Sequence, residues 1–214
     1  MSKNEARRQS IRIAALEVFL ESGFDRASMS DICARLGYSK ATLYSYFGSK
    51  EALFLDLVAE ATEAGIDALQ GALETPDAPD APAPDIVPTL ERFARAYLAH
   101  SFSPRVAVLR RMLVSQAGRP GFESRRYDLG AARIAARLAG FMRAAMDAGI
   151  LRETDHGRAA LHLRGLLDAE WSERYLFETP QALMPEQIER TATIGVATFM
   201  AAYAAAPVTT LEQA

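Results

Sequence analysis

Residues 28–51, SMSDICARLGYSKATLYSYFGSKE, leave the chain few options. Ser28 and Ser30 are both good helix-opening residues, because a side-chain hydroxyl accepts from the free N–H groups of a first turn. Met29, Ile32, Cys33 and Leu36 then recur at the three- and four-residue spacing of a helix that buries one face. Gly37 stands just past the last apolar position, where a left-handed residue ends a helix and lets the chain turn sharply. Ser39 opens the next helix. Between Lys40 and Phe47, Ala41, Leu43 and Phe47 can face inward, while Lys40, Thr42, Tyr44, Ser45 and Tyr46 form an outward rim of donors and flat rings. A helix, a tight turn and a short helix so decorated make a helix-turn-helix, whose second helix is suited to a DNA major groove.

Charge supports this. The whole chain carries a net charge of −3, yet residues 1–50 hold eight Lys/Arg against five Asp/Glu, and the remainder sixteen against twenty-two. The basic end is the end with the motif, as phosphate neutralisation requires. The first 20 residues mix Lys3, Arg7, Arg8 and Arg12 with Glu5 and Glu17, so neither a signal peptide nor a membrane span is expected, and the protein should be cytoplasmic. Arg7, Arg8 and Arg12 either reach the DNA flank or are simply solvated. A single Cys33 and three histidines, His100, His156 and His162, predict no disulfide within the chain, no metal site and no cofactor.

The periodicity predicts an all-α fold. A first helix runs from Lys3 to Ser22 and stops at Gly23, and residues 1–50 form a three-helix DNA-binding domain. A connecting helix covers residues 51–73. Residues 74–88 hold five prolines and a repeated Pro-Asp-Ala triplet, which predicts a flexible loop. Residues 89–206 form a C-terminal helical domain, with helices expected around residues 90–98, 104–118, 122–148, 155–177 and 185–205, and residues 207–214 a disordered tail.

Ser28, Ile32, Cys33, Gly37, Tyr38, Ser39, Leu43, Tyr44, Tyr46, Phe47, Ser49, Lys50, Glu51 and Leu53 together resemble the N-terminal domain of the TetR family of transcriptional regulators, with unbroken spacing. The one departure is Cys33, where that family usually has alanine; both are small residues for a buried face. Residues 103–130 and 148–168, through Leu109 to Arg111, Pro120, Phe122 and the Gly149 to Leu151 turn, resemble the ligand-binding and dimerisation domain of the AefR-like branch.

The resemblance implies a ligand-responsive regulator, a repressor that binds a near-palindromic double-stranded operator as a homodimer and is released by a small, largely apolar effector. It implies that Lys40, Ala41 and Thr42 meet base edges, and that Ser28, Ser39, Thr42, Tyr44, Tyr46 and Lys50 hold phosphates. For Ser28 and Ser39 alone, helix capping explains the residue equally well. Phe93, Tyr97, Met112, Phe141, Met142, Met146 and Trp171 are soft or flat side chains that line either an effector pocket or an ordinary core, and Glu170 is placed to anchor a cationic ligand group. Ile188, Ala192, Gly195, Val196, Phe199, Met200 and Tyr203 line one face of the last helix. The helix of residues 155–177 covers part of that stripe. A second subunit is expected to complete it, with Leu163 and Leu167 in the same interface.

Two other classes compete. An enzyme lacks support, since there is no Gly-rich phosphate loop, nucleophile elbow or His/Asp/Ser grouping, and Asp147, Glu153, Asp168 and Glu170 are scattered acids. An architectural DNA binder would not need so long a C-terminal region.

Overall fold

The computed structural model describes residues 2–73, 85–116, 118, 125–177 and 181–205, and these contain ten α-helices. In chain order they are α1 (Lys3–Ser22), α2 (Met29–Leu36), α3 (Lys40–Tyr46), α4 (Lys50–Leu73), α5 (Ile86–Ser101), α6 (Pro104–Ser115), α7 (Arg125–Asp147), α8 (His156–Asp168), α9 (Ser172–Phe177) and α10 (Pro185–Tyr203). The chain divides into two units, residues 1–64 with 105–130 and residues 65–104 with 131–214.

In the first unit, α1 to α3 and the start of α4 close on Ile11, Phe19, Ile32, Leu43, Leu53 and Phe54, all fully buried. Phe24, in the α1–α2 loop, packs its ring 5.5 Å from Phe19 and 5.1 Å from Phe54. Leu109 and Leu113 of α6 pack into the same core, and Arg105 pairs with Glu60 of α4 at 2.5 Å. The apolar face of α6, a helix read from sequence as part of the C-terminal region, thus meets the first unit's core.

The second unit is built around α10, which packs on α5 and α8. Leu90, Phe93, Leu98, Leu163, Leu167, Ala192, Val196 and Phe199 form its interior. The end of α10 is pinned to the α7–α8 turn by Arg152 N–H to Tyr203 O at 2.9 Å and Ala205 N–H to Ile150 O at 3.0 Å, an isolated bridge between Leu151 and Ala204.

Two boundaries differ from the sequence reading. The Pro-rich segment ends earlier than residue 88, because Asp85 caps α5 by accepting from Val87 N–H at 3.2 Å and Pro88 falls in the first helical turn, where its missing N–H costs nothing. The single helix expected over residues 155–177 breaks after Asp168, and the break lets Trp171 turn inward to donate its indole N–H to Thr191 Oγ1 at 3.1 Å. Residues 74–84, the region 119–124 and the tail beyond 205 lie outside the described residues.

Candidate nucleic-acid interface

The presented face begins at two serines. Ser28 takes extended backbone angles, accepts from Asp31 N–H at 3.2 Å and donates its hydroxyl to Asp31 Oδ2 at 2.7 Å, while Asp31 accepts from Ser28 N–H at 2.9 Å. This reciprocal capping box holds the Asp31 carboxyl below its usual range, through the Ser28 hydroxyl first and the Ser28 amide second. Its sequence signal is a serine followed three places later by an acid. Gly37 ends α2 at φ 69°, a left-handed angle that favours glycine. Ser39 then caps α3, accepting from Thr42 N–H at 3.1 Å with its hydroxyl 2.9 Å from Thr42 Oγ1.

On α3, Leu43 is fully buried and Phe47 nearly so, which fixes the helix's inner face. Lys40, Ala41, Tyr44 and Ser45 are exposed, Thr42 is half-buried at the edge, and Tyr44 leaves half its surface in solvent. Ala41, which the periodicity allowed inward, lies outward. Tyr46, expected outward, packs against the core of the first unit.

Several cations near this face have partners within the chain. Arg8 Nη2 and Arg12 Nε clasp the two oxygens of Asp56 on α4 at 2.6 and 2.7 Å, and the Arg8 guanidinium lies 4.9 Å from the Phe47 ring centroid. Both arginines therefore tie α1 to α4. Arg35 does the same between α2 and α1, pairing with Glu21 and Glu17. Lys50, expected on a phosphate, donates to backbone carbonyls of the α1–α2 loop.

The clasp on Asp56 makes stability pH-dependent. Burial raises the carboxyl's pKa, but hydrogen bonds from Arg12 and Arg8 outweigh it and hold the group below its usual value. A depressed carboxylate stabilises the fold above the unfolded pKa, about 3.9, and that contribution fades as pH falls through the lower folded value. Asp56→Asn should cost about 2 kcal/mol at neutral pH, with the deficit closing in acid below about pH 4. Thermal melts of both proteins across pH 3 to 7 check this; a deficit independent of pH would mean that the carboxylate charge contributes nothing.

A helix-turn-helix on a small bundle, followed by a long helical region, occurs in more than one group of DNA-binding proteins, and comparison with known proteins decides between them. Residues 11–57 match the family model for bacterial regulatory proteins of the tetR family, and residues 88–205 match that for the AefR-like transcriptional repressor C-terminal domain. The chain belongs to the TetR family. Its fold superposes on a solved TetR-family regulator from Mesorhizobium loti with a TM-score of 0.81 at 26% identity, over 95% of this chain and 100% of that one. The flavonoid-responsive regulator FrrA aligns at 32% identity and a TM-score of 0.66, covering 94% of this chain and 98% of that one. The transcriptional activator FasR of Mycolicibacterium smegmatis is 37% identical over 71 residues, which are 33% of this chain. That match spans about a third of FasR, 32% of its length. These relatives are transcriptional regulators rather than enzymes.

In this TetR-family chain the side chains assigned from sequence to an effector pocket do not all lie together. Phe93, Tyr97, Met142 and Trp171 are buried in the second unit, where the Phe93 and Tyr97 rings stack with centroids 6.0 Å apart; Phe141 and Met146 are half-buried on α7. Met112 belongs to the first unit and packs on its core. Glu170, read as an anchor for a cationic ligand group, is exposed and pairs with Arg190 at 3.0 Å. A polar group that the sequence did not reveal is Asp168, which accepts from the Tyr97 hydroxyl at 2.8 Å; burial, with Asp168 beside it, pushes the phenol up to about 12.

The stripe assigned to the dimer interface is largely covered within the chain. Leu163, Leu167, Ala192, Gly195, Val196, Phe199 and Tyr203 are buried within the one chain, and Ile188 and Met200 are half-buried, because α10 turns this face toward its own α5 and α8. On the adjoining face Leu161 and Ile194 stay in solvent, 57% and 51% exposed. An open groove of about 400 Å³ runs there between α8 and α10, past Leu161, His162, Gly165, Leu166, Thr198 and Ala202. Among the described residues no helix is long and apolar enough to cross a membrane.

Proposed function

We propose that this chain is a repressor that binds a near-palindromic operator as a homodimer and is released by a small, largely apolar effector. The observation that carries the reading is α3, anchored by Leu43 and presenting Lys40, Ala41, Thr42 and Tyr44 along one edge. Lys40 donates to guanine acceptors, and Ala41 and the Thr42 methyl meet a thymine methyl. Ser28, Ser39, Tyr44 and Tyr46 take phosphates and set the register. The second subunit covers the exposed face of Leu161, Gly165, Ile194, Thr198 and Ala202, and the pair of α3 helices then spans successive major grooves. Repression rather than activation is supported by the AefR-like match, which covers more of the chain than the N-terminal stretch shared with the activator FasR. A regulator of this kind works in the cytoplasm, where its DNA is.

Effector binding belongs to the second unit, around Phe93, Tyr97, Met142 and Trp171, with Phe141 and Met146 at its edge. The likeness to a flavonoid-responsive regulator over most of both chains supports an aromatic effector with hydroxyl groups, which would meet the Tyr97–Asp168 pair. The effector acts by binding more tightly to the conformation that does not fit the operator.

The test is a gel shift on duplexes selected by the protein from a random library, repeated with a flavonoid panel. Sequence-specific shifts, released by at least one compound, are expected; binding indifferent to sequence would overturn the reading. Lys40→Ala or Thr42→Ala should change preference at one or two positions by about 1–3 kcal/mol. Tyr44→Ala should weaken all duplexes alike, and its unchanged affinity at low and moderate salt would remove Tyr44 from the interface.

A further inference from the structure

The first residue of α4 lies beside the turn that launches α2. Lys50 Nζ donates to Phe24 O at 2.7 Å, to Ala27 O at 3.0 Å and, at a longer 3.4 Å, to Asp25 O, and it sits 4.3 Å from the centroid of the Phe24 ring. An ammonium has three donors, and all three point at carbonyls of one loop. Ala27 immediately precedes Ser28, the N-cap of α2, and Phe24 is packed on Phe19 and Phe54. The loop is thus held from below by rings and from the side by one cation.

We propose that Lys50 is a positioning residue for DNA recognition: it gathers the carbonyls of residues 24–27 and so sets where α2 begins, rather than meeting a phosphate. The inference rests on the DNA-binding role of α2 and α3. Within the loop Ala27 N–H bonds Gly23 O at 3.2 Å, while the carbonyls of residues 24, 25 and 27 converge on a point that suits an ammonium. The cation draws together the end of α1, the start of α2 and the start of α4. A phosphate reaching Lys50 would have to compete with these carbonyls for its three donors.

The geometry separates lysine from arginine. A compact ammonium with three tetrahedral donors fits three converging carbonyls, whereas a planar guanidinium fork does not, although it serves a phosphate as well or better. Lys50→Arg and Lys50→Met are therefore compared with the unaltered chain in two measurements. The first is amide hydrogen exchange of residues 24–30 in the DNA-free protein. The second is affinity against salt, on a random-sequence duplex and on a duplex selected by the unaltered protein.

Both variants are expected to exchange faster at residues 24–30 and to lose about tenfold in affinity for the selected duplex. Lys50→Arg should keep the salt slope of the unaltered chain. If Lys50→Arg instead binds the selected duplex like the unaltered chain and residues 24–30 stay protected, the proposal is overturned. The same holds if Lys50→Met lowers the salt slope by about 0.9, one phosphate contact, with exchange unchanged. Should the unaltered chain select no duplex, the recognition reading fails by itself, and the exchange arm still judges whether Lys50 holds the loop.

Discussion

Ile194→Asp should convert the protein to a monomer that no longer holds its operator, with the melting temperature nearly unchanged. Ile194 is half exposed on α10, so the substitution removes little from the chain's own core. In a dimer the same position is buried against a second copy, and two carboxylates facing each other near a two-fold axis are both desolvated and mutually repelled. Losing the second subunit removes the second half-site contact from each binding event, a loss of about 10²–10⁴ in affinity. Sedimentation gives the assembly state and a gel shift on the selected duplex the affinity. An intact dimer that binds fully would move the interface to another face.

Gly195→Arg, one residue further along α10, should have an effect of equal size and a different kind. A Cβ built on Gly195 would stand 2.9 Å from Leu167 Cδ2, and both residues are buried. A single methyl needs only the far end of a leucine to shift, so Gly195→Ala should cost about 1 kcal/mol. An arginine drives a charged chain between α10 and α8, where cost runs to several kcal/mol, a large part of the stability of an ordinary domain. The expected result is a second unit that fails to fold, seen as loss of helical circular dichroism and of cooperative melting. A folded monomer would instead return Gly195 to the subunit interface. The neighbouring positions thus separate assembly from folding: residue 194 faces out and residue 195 faces in.

The recognition end was legible because its signals act over short range. Ser28, Gly37 and Ser39 do their work within four residues of themselves, so α2, its stop and α3 follow from local hydrogen bonding and one left-handed angle. Partners far apart in the chain were not legible. The arginines at 8 and 12 read equally well as a DNA-reaching arm until Asp56, more than forty residues away, was found between them. Lys50 reads as a phosphate ligand until the loop of residues 24–27 folds back beneath it.

The same limit runs through the second unit. Helical periodicity says which face of α10 is apolar, and that face was read correctly as needing cover. Apolar spacing is identical whether the cover is the chain's own α5 and α8 or another subunit, and only packing distinguishes them. Met112 and Glu170 were likewise assigned by side-chain type, whereas α6 turns Met112 onto the first unit and Arg190 draws Glu170 into solvent. What the sequence by itself determined was the all-α architecture, the caps and turn of the helix-turn-helix, and the family to which they belong, because each rests on residues close together in the chain. The tertiary structure alone decided which cations are paired within the chain and which apolar side chains stay exposed, because burial and ion pairing depend on what other segments bring to the same place.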